Sequence, residues 1–125
     1  MIIRIIGSMA FHKEYEKIKK ELEAKGNEVI IPLPNEFYKK EEKNAKLKAM
    51  QDFNEDLEKS DVILVANFEK HGKKHYIGIN SLMEIGMAFN RNKKIFLLYD
   101  IPEGYEEELK AIGCIILKGD ITKIK

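Results

Sequence analysis

The sequence predicts a three-layer α/β domain: a five-stranded parallel sheet in the order 2-1-3-4-5, covered by helices on both faces, as in flavodoxin-like folds. Three observations carry this. Five short apolar, largely β-branched runs recur along the chain, and segments of helical period separate most of them. Strands alternating with helices pair in parallel, because the crossover needs the length of a helix. At 125 residues, 44% of them hydrophobic, the chain suits a single domain spanning 1–125 with one well-filled core.

The first strand is Ile2-Ile-Arg-Ile-Ile6, ended by Gly7. From about Ala10 to Ala24, the apolar residues Phe11, Tyr15, Ile18 and Leu22 recur at helical spacing, and Gly26-Asn27 stops that helix. Val29-Ile-Ile31 forms a second strand, closed by Pro32 and Pro34. Residues 35–44 are polar and irregular at their start. Leu47, Met50, Phe53 and Leu57 then mark a helix to about Lys59, and Ser60-Asp61 turns the chain into the strand Val62–Ala66. A polar loop over 67–79 precedes a helix from about Ser81 to Asn90 and a strand at Ile95–Tyr99. A short helix at 105–111 and a last strand at Cys114–Leu117 complete the pattern.

Composition excludes several classes. With 22 basic and 21 acidic residues the net charge is +1, so nothing draws the chain as a whole to a nucleic-acid polymer or a membrane surface. No apolar run reaches spanning length. Cys114 has no partner for an internal disulfide, and no Cys/His cluster has zinc spacing. With no signal peptide evident, a cytoplasmic protein is expected. His71 and His75 lack a third ligand, so no metal is expected.

Ligands of such sheets sit beyond the carboxyl ends of the strands, where strands 1 and 3 diverge. The loops there are 7–10, 32–40, 66–81 and 100–104, and two carry unusual residues. Gly7-Ser8 opens a helix directly after the first strand. Its amides and the Ser8 hydroxyl suit an anion, and it equally suits an ordinary turn with Ser8 as cap. Ser81-Leu-Met-Glu84 fits a capping box. The same geometry would hold an ionised Glu84 in the first turn of its helix, aimed at the crevice, where a carboxylate can attack an anomeric carbon. Asp52 and Asp56 share a helix face, which is either solvated or functional. The basic loop Glu69–Tyr76 is either a phosphate contact or a mobile lid, and Tyr76 either stacks on a base or packs.

Three segments together resemble the nucleoside 2-deoxyribosyltransferase-like superfamily, which includes the 2′-deoxynucleoside 5′-phosphate N-hydrolases. They are Ile6-Gly-Ser-Met9, then Glu55-Asp-Leu-Glu-Lys-Ser-Asp-Val-Ile-Leu-Val65, then Tyr76-Ile-Gly-Ile-Asn-Ser-Leu-Met-Glu-Ile-Gly-Met-Ala88. The likeness runs over about residues 2–100 and is greatest to an uncharacterised archaeal and bacterial branch. It implies Glu84 as the nucleophile at C1′, and Asp56 as the group that orients substrate or protonates the leaving base. It implies Gly7, Ser8, Asn80 and Ser81, with Tyr76 and Gly78, as the sugar, phosphate and base contacts. The implied activity is N-glycosidic cleavage or base exchange on a nucleoside or nucleoside 5′-monophosphate, without a cofactor. A homodimer is implied as well, since relatives complete their pockets from a neighbouring subunit. Where the N-hydrolases carry an Arg-Gly-Gly-type loop, this chain has Met9-Ala-Phe-His12. That departure favours the alternative of a nucleotide sensor without catalysis.

Overall fold

The computed structural model describes residues 1–33 and 44–125. Five parallel strands form the sheet: β1 (Ile2–Ile6), β2 (Glu28–Ile30), β3 (Val62–Val65), β4 (Lys94–Leu97) and β5 (Ile115–Ile116). Their order is β2-β1-β3-β4-β5, as expected for a flavodoxin-like fold. Four helices connect or follow them: α1 (His12–Glu23), α2 (Ala45–Lys59), α3 (Ile79–Asn90) and α4 (Glu106–Ala111). The irregular start expected for 35–44, the loop 32–40 beyond its first two residues, and the role of Pro34 lie outside the described residues.

Side chains alternate across a strand, and the sheet divides the core accordingly. Ile3 and Ile5 of β1 join Val62 and Leu64 of β3 on the face that α1 covers with Tyr15 and Leu22. Ile6, Ile63 and Val65 lie on the opposite face against Phe53 and Leu57 of α2, Ile85 and Ala88 of α3, and Leu109 of α4. Arg4 shares the parity of Ile6, so the one charged residue of β1 points to the α2/α3 side, where it is buried.

Strand ends differ from expectation by one or two residues. β4 stops at Leu97, because the buried Asn67 takes over the next ladder positions. Its carboxamide oxygen accepts from the Tyr99 amide (2.9 Å), and its nitrogen donates to the carbonyl of Asp100 (2.9 Å). Asp61 is a turn residue that also ties two strands together. Its carboxylate accepts the Ile2 amide at 2.7 Å, pinning the start of β1 to that of β3.

α3 starts earlier than its sequence pattern predicts. It begins at Ile79, and Gly78, extended at φ −75° and ψ 171°, is its N-cap. The Leu82 amide closes the first turn on the Gly78 carbonyl (2.9 Å). Ser81 is therefore inside the helix and buried, no side chain caps the end, and the capping box does not form. Glu84 sits in the second turn, beyond the first-turn reach of the dipole.

Candidate active site

At the carboxyl ends of β1 and β3, where the chain turns outward in opposite directions, lies a cleft of about 860 Å³. Gly7, Ser8, Tyr76, Gly78, Asn80, Ser81 and Glu84 all line it. Seven of the eight residues singled out in the sequence thus converge on one crevice. The eighth, Asp56, is not among the lining residues.

The floor is set by close packing at the end of β1. Tyr15 rises from α1, fully buried, and its hydroxyl donates to the Ser8 carbonyl at 2.6 Å. A Cβ on Gly7 would stand 2.3 Å from that hydroxyl and 3.1 Å from the Ala66 carbonyl, so only glycine fits. Burial and the neighbouring Glu14 push the Tyr15 hydroxyl well above its ordinary pKa, and Arg4 opposes them. Tyr15 is thus a neutral strut.

Ser8 does serve as a cap: its Oγ accepts the Ala10 amide (3.2 Å) of a one-turn 3-10 helix. It also accepts Lys70 Nζ at 2.6 Å. Lys70 belongs to the basic loop, which is pinned into a tight turn. Lys70 and Lys73 exchange both backbone hydrogen bonds across His71 (φ 54°) and Gly72 (φ 70°). Lys70 Nζ lies 5.9 Å from the Tyr76 ring centre, and His71 meets the same ring edge-on at 5.5 Å. His71 therefore buttresses Tyr76. Among the described residues, no group of three or more His, Cys, Asp or Glu is placed to hold a metal ion.

Glu84 is the only carboxyl among the described residues that line the cleft. It was expected to be held ionised by the helix dipole, and the environment does the reverse. Burial pushes its pKa up to about 7; Arg4 pulls it down, and Asp56 pushes it further up. Near neutral pH the carboxyl is divided between its two protonation states. Its oxygens have no hydrogen-bond or ion-pair partner among the described residues, yet they are not sealed from the cleft.

Arg4 went unmarked in the sequence, hidden within an apolar run. Its Nε donates to Asp56 Oδ2 at 2.9 Å, Nη1 donates to the Ile5 carbonyl, and the guanidinium lies 5.0 Å from the Phe53 ring centre. Asp56 thus reaches the site through Arg4, which does line the cleft. Asp56 itself does not line the cleft among the described residues; its carboxylate is held on the Arg4 guanidinium. Asp52 is separate and pairs with Lys48 at 3.2 Å. Cys114, expected in a core strand, just precedes β5 and is half-buried, and burial pushes its thiol up to about 11.

Fold and site together define an α/β domain of flavodoxin-like order whose switch-point cleft is lined, among the described residues, by one carboxyl, raised in pKa by burial, and by the buried Arg4 guanidinium. No family model matches the chain, and no curated protein matches it.

Proposed function

We propose that the protein cleaves or exchanges the N-glycosidic bond of a nucleoside or nucleoside 5′-monophosphate, with Glu84 as nucleophile. The observation that carries the reading is the unpartnered Glu84 carboxyl facing the crevice. It has no structural hydrogen bond to make, and burial there costs stability, as expected of a group kept for chemistry.

In the first step a Glu84 oxygen bonds to C1′ as the C1′–N bond breaks. The base leaves with the bonding electron pair and takes a proton from water in the open cleft. In the second step water attacks C1′, gives up a proton to solvent and frees the carboxylate. A second base attacking in place of water gives exchange. Tyr76 offers a ring to the base, while Ser8, Lys70, Asn80 and Ser81 offer polar contacts to sugar or phosphate. Asp56 holds Arg4 and acts through it.

The protein is proposed to work in the cytoplasm, as a pair of identical chains. Ile79, Leu82, Met83 and Phe89 form an exposed apolar stripe on α3 that starts at the mouth of the cleft. A second copy packed about a two-fold axis would cover this stripe.

A binding-only sensor is favoured by one observation: no second carboxyl lines the cleft among the described residues. The test is a panel of nucleosides and 5′-monophosphates, with free base measured by chromatography. Release by the wild type and its loss in Glu84→Ala is the expected result. A Glu84→Ala variant with full activity sinks the nucleophile. Saturable binding without base release leaves the sensor.

A further inference from the structure

A guanidinium has five N–H donors, and the protein uses only part of this set at Arg4. Nε is taken by Asp56 and one Nη1 proton by Ile5. Nη2 meets no acceptor among the described residues. The Arg4 side chain is only 7% exposed, yet among the described residues no buried side-chain nitrogen lacks a partner. Nη2 therefore opens onto the cleft that Arg4 lines. Glu84 opens onto the same cleft, and the two form no ion pair. Donors of Arg4 and the Glu84 carboxyl thus both border the cleft without satisfying each other.

A hydroxyl is the group that answers both, accepting from an N–H while donating to a carboxylate. With C1′ placed at Glu84, two sugar oxygens lie next to the nucleophile: the ring oxygen and, in ribose, the 2′-hydroxyl. The ring oxygen gains positive charge as the glycosidic bond breaks, so a guanidinium against it raises the barrier. The 2′-hydroxyl carries no such penalty. We propose that the site selects ribonucleosides or ribonucleotides over their 2′-deoxy counterparts, with the 2′-hydroxyl bridging Arg4 and Glu84. The inference rests on Glu84 being the nucleophile. A 2′-deoxy sugar offers these donors no acceptor at that position, and sites built to bond a hydroxyl reject the analogue lacking it.

The test compares adenosine with 2′-deoxyadenosine, and the two 5′-monophosphates with each other, in the wild type and in the double variant Arg4→Met/Asp56→Asn. The double change avoids stranding a lone buried charge. In the wild type kcat/KM is expected to favour ribose by about 10- to 100-fold. In the variant the ratio falls toward unity, mainly through loss on the ribose substrate. A purely structural Arg4–Asp56 pair would lower both activities and leave the ratio unchanged, which overturns the proposal. So does a wild type that cleaves the deoxy substrates as fast or faster, a result that needs no variant to fold. If no substrate releases base, the catalytic reading fails separately, and the same pairs are measured by calorimetry on the wild type. Tighter ribose binding then upholds the selectivity; equal binding, or none, overturns it.

Discussion

Replacing Glu84 with glutamine is expected to stabilise the protein, and to do so only where the carboxyl would be ionised. In the unfolded chain this carboxyl titrates at its ordinary 4.5, whereas in the fold burial holds it at about 7. Below the lower value both states are protonated and the side chain costs nothing. As pH rises past it, the unfolded chain releases its proton first, so ionisation favours unfolding. The loss accumulates at about 1.4 kcal/mol per pH unit. It reaches about 3 kcal/mol once the folded carboxyl has also ionised, and is constant above that. Glutamine keeps the shape and does not titrate, so the pH-dependent part of the difference between the two proteins arises at this site. Urea unfolding of wild type and Glu84→Gln from pH 4 to 8 should give coincident curves at the acid end. The variant should draw ahead across the window from 4.5 to 7. A difference that does not change with pH, or a variant less stable at pH 8, refutes the placement of this carboxyl in a desolvated site.

Four further outcomes follow from the same geometry. If the ionised Glu84 is the nucleophile, kcat/KM for base release should rise about tenfold per pH unit on the acid side and level off above about 7; a profile flat from pH 5 to 8 removes that role. Asp56→Asn removes a charge that raises the Glu84 pKa and frees Arg4 to lower it, so the midpoint of that profile should move to lower pH. An unmoved midpoint would disconnect Asp56 from the site. Gly7→Ala should cost about 2–4 kcal/mol through overpacking and the displaced Tyr15 hydroxyl, and in Tyr15→Phe, which lacks that hydroxyl, the same change should cost less; additive losses in chemical denaturation contradict the clash. Phe89→Glu, on the exposed α3 stripe, should shift the mass seen by light scattering from two chains to one, and an unchanged mass rejects that face as the interface.

The strand order was legible because β1, β3 and β4 are buried on both faces and read as apolar runs in any context. Ends were less legible where a side chain substitutes for the ladder, as Asn67 does beyond Leu97. The start of α3 misled for a different reason. Ser81 and Glu84 carry the residue types of a capping box, whereas the true cap, Gly78, has no side chain to announce it. Its lack of a Cβ suits the Tyr76 hydroxyl, which a Cβ there would meet at 3.2 Å. Residue type located Glu84, but the expectation of a dipole-held carboxylate missed the burial that raises its pKa. Arg4 left a signal that pattern reading passed over: a charge inside a strand buried on both faces needs a partner or a purpose. Lys70 was visible only as one of several lysines in a basic loop, and nothing in its spacing singled out the one that reaches Ser8.

Parity along β1 explains why these groups meet. With Ile3 and Ile5 committed to the α1 face, Arg4 must face α2 and α3. The first of these helices offers Asp56, which closes an ion pair with Arg4. The second offers Glu84, one position before the buried Ile85 and three after the buried Ser81. An apolar side chain at 84 would extend the inward stripe of α3 without the cost of ionisation. The carboxyl instead stands beside a guanidinium that it does not pair with, and neither group uses the other to satisfy itself. Folding alone would favour closing that gap or making it apolar. Two groups that line a switch-point crevice without pairing with each other, against stability, form the arrangement in which a third partner completes the bonding.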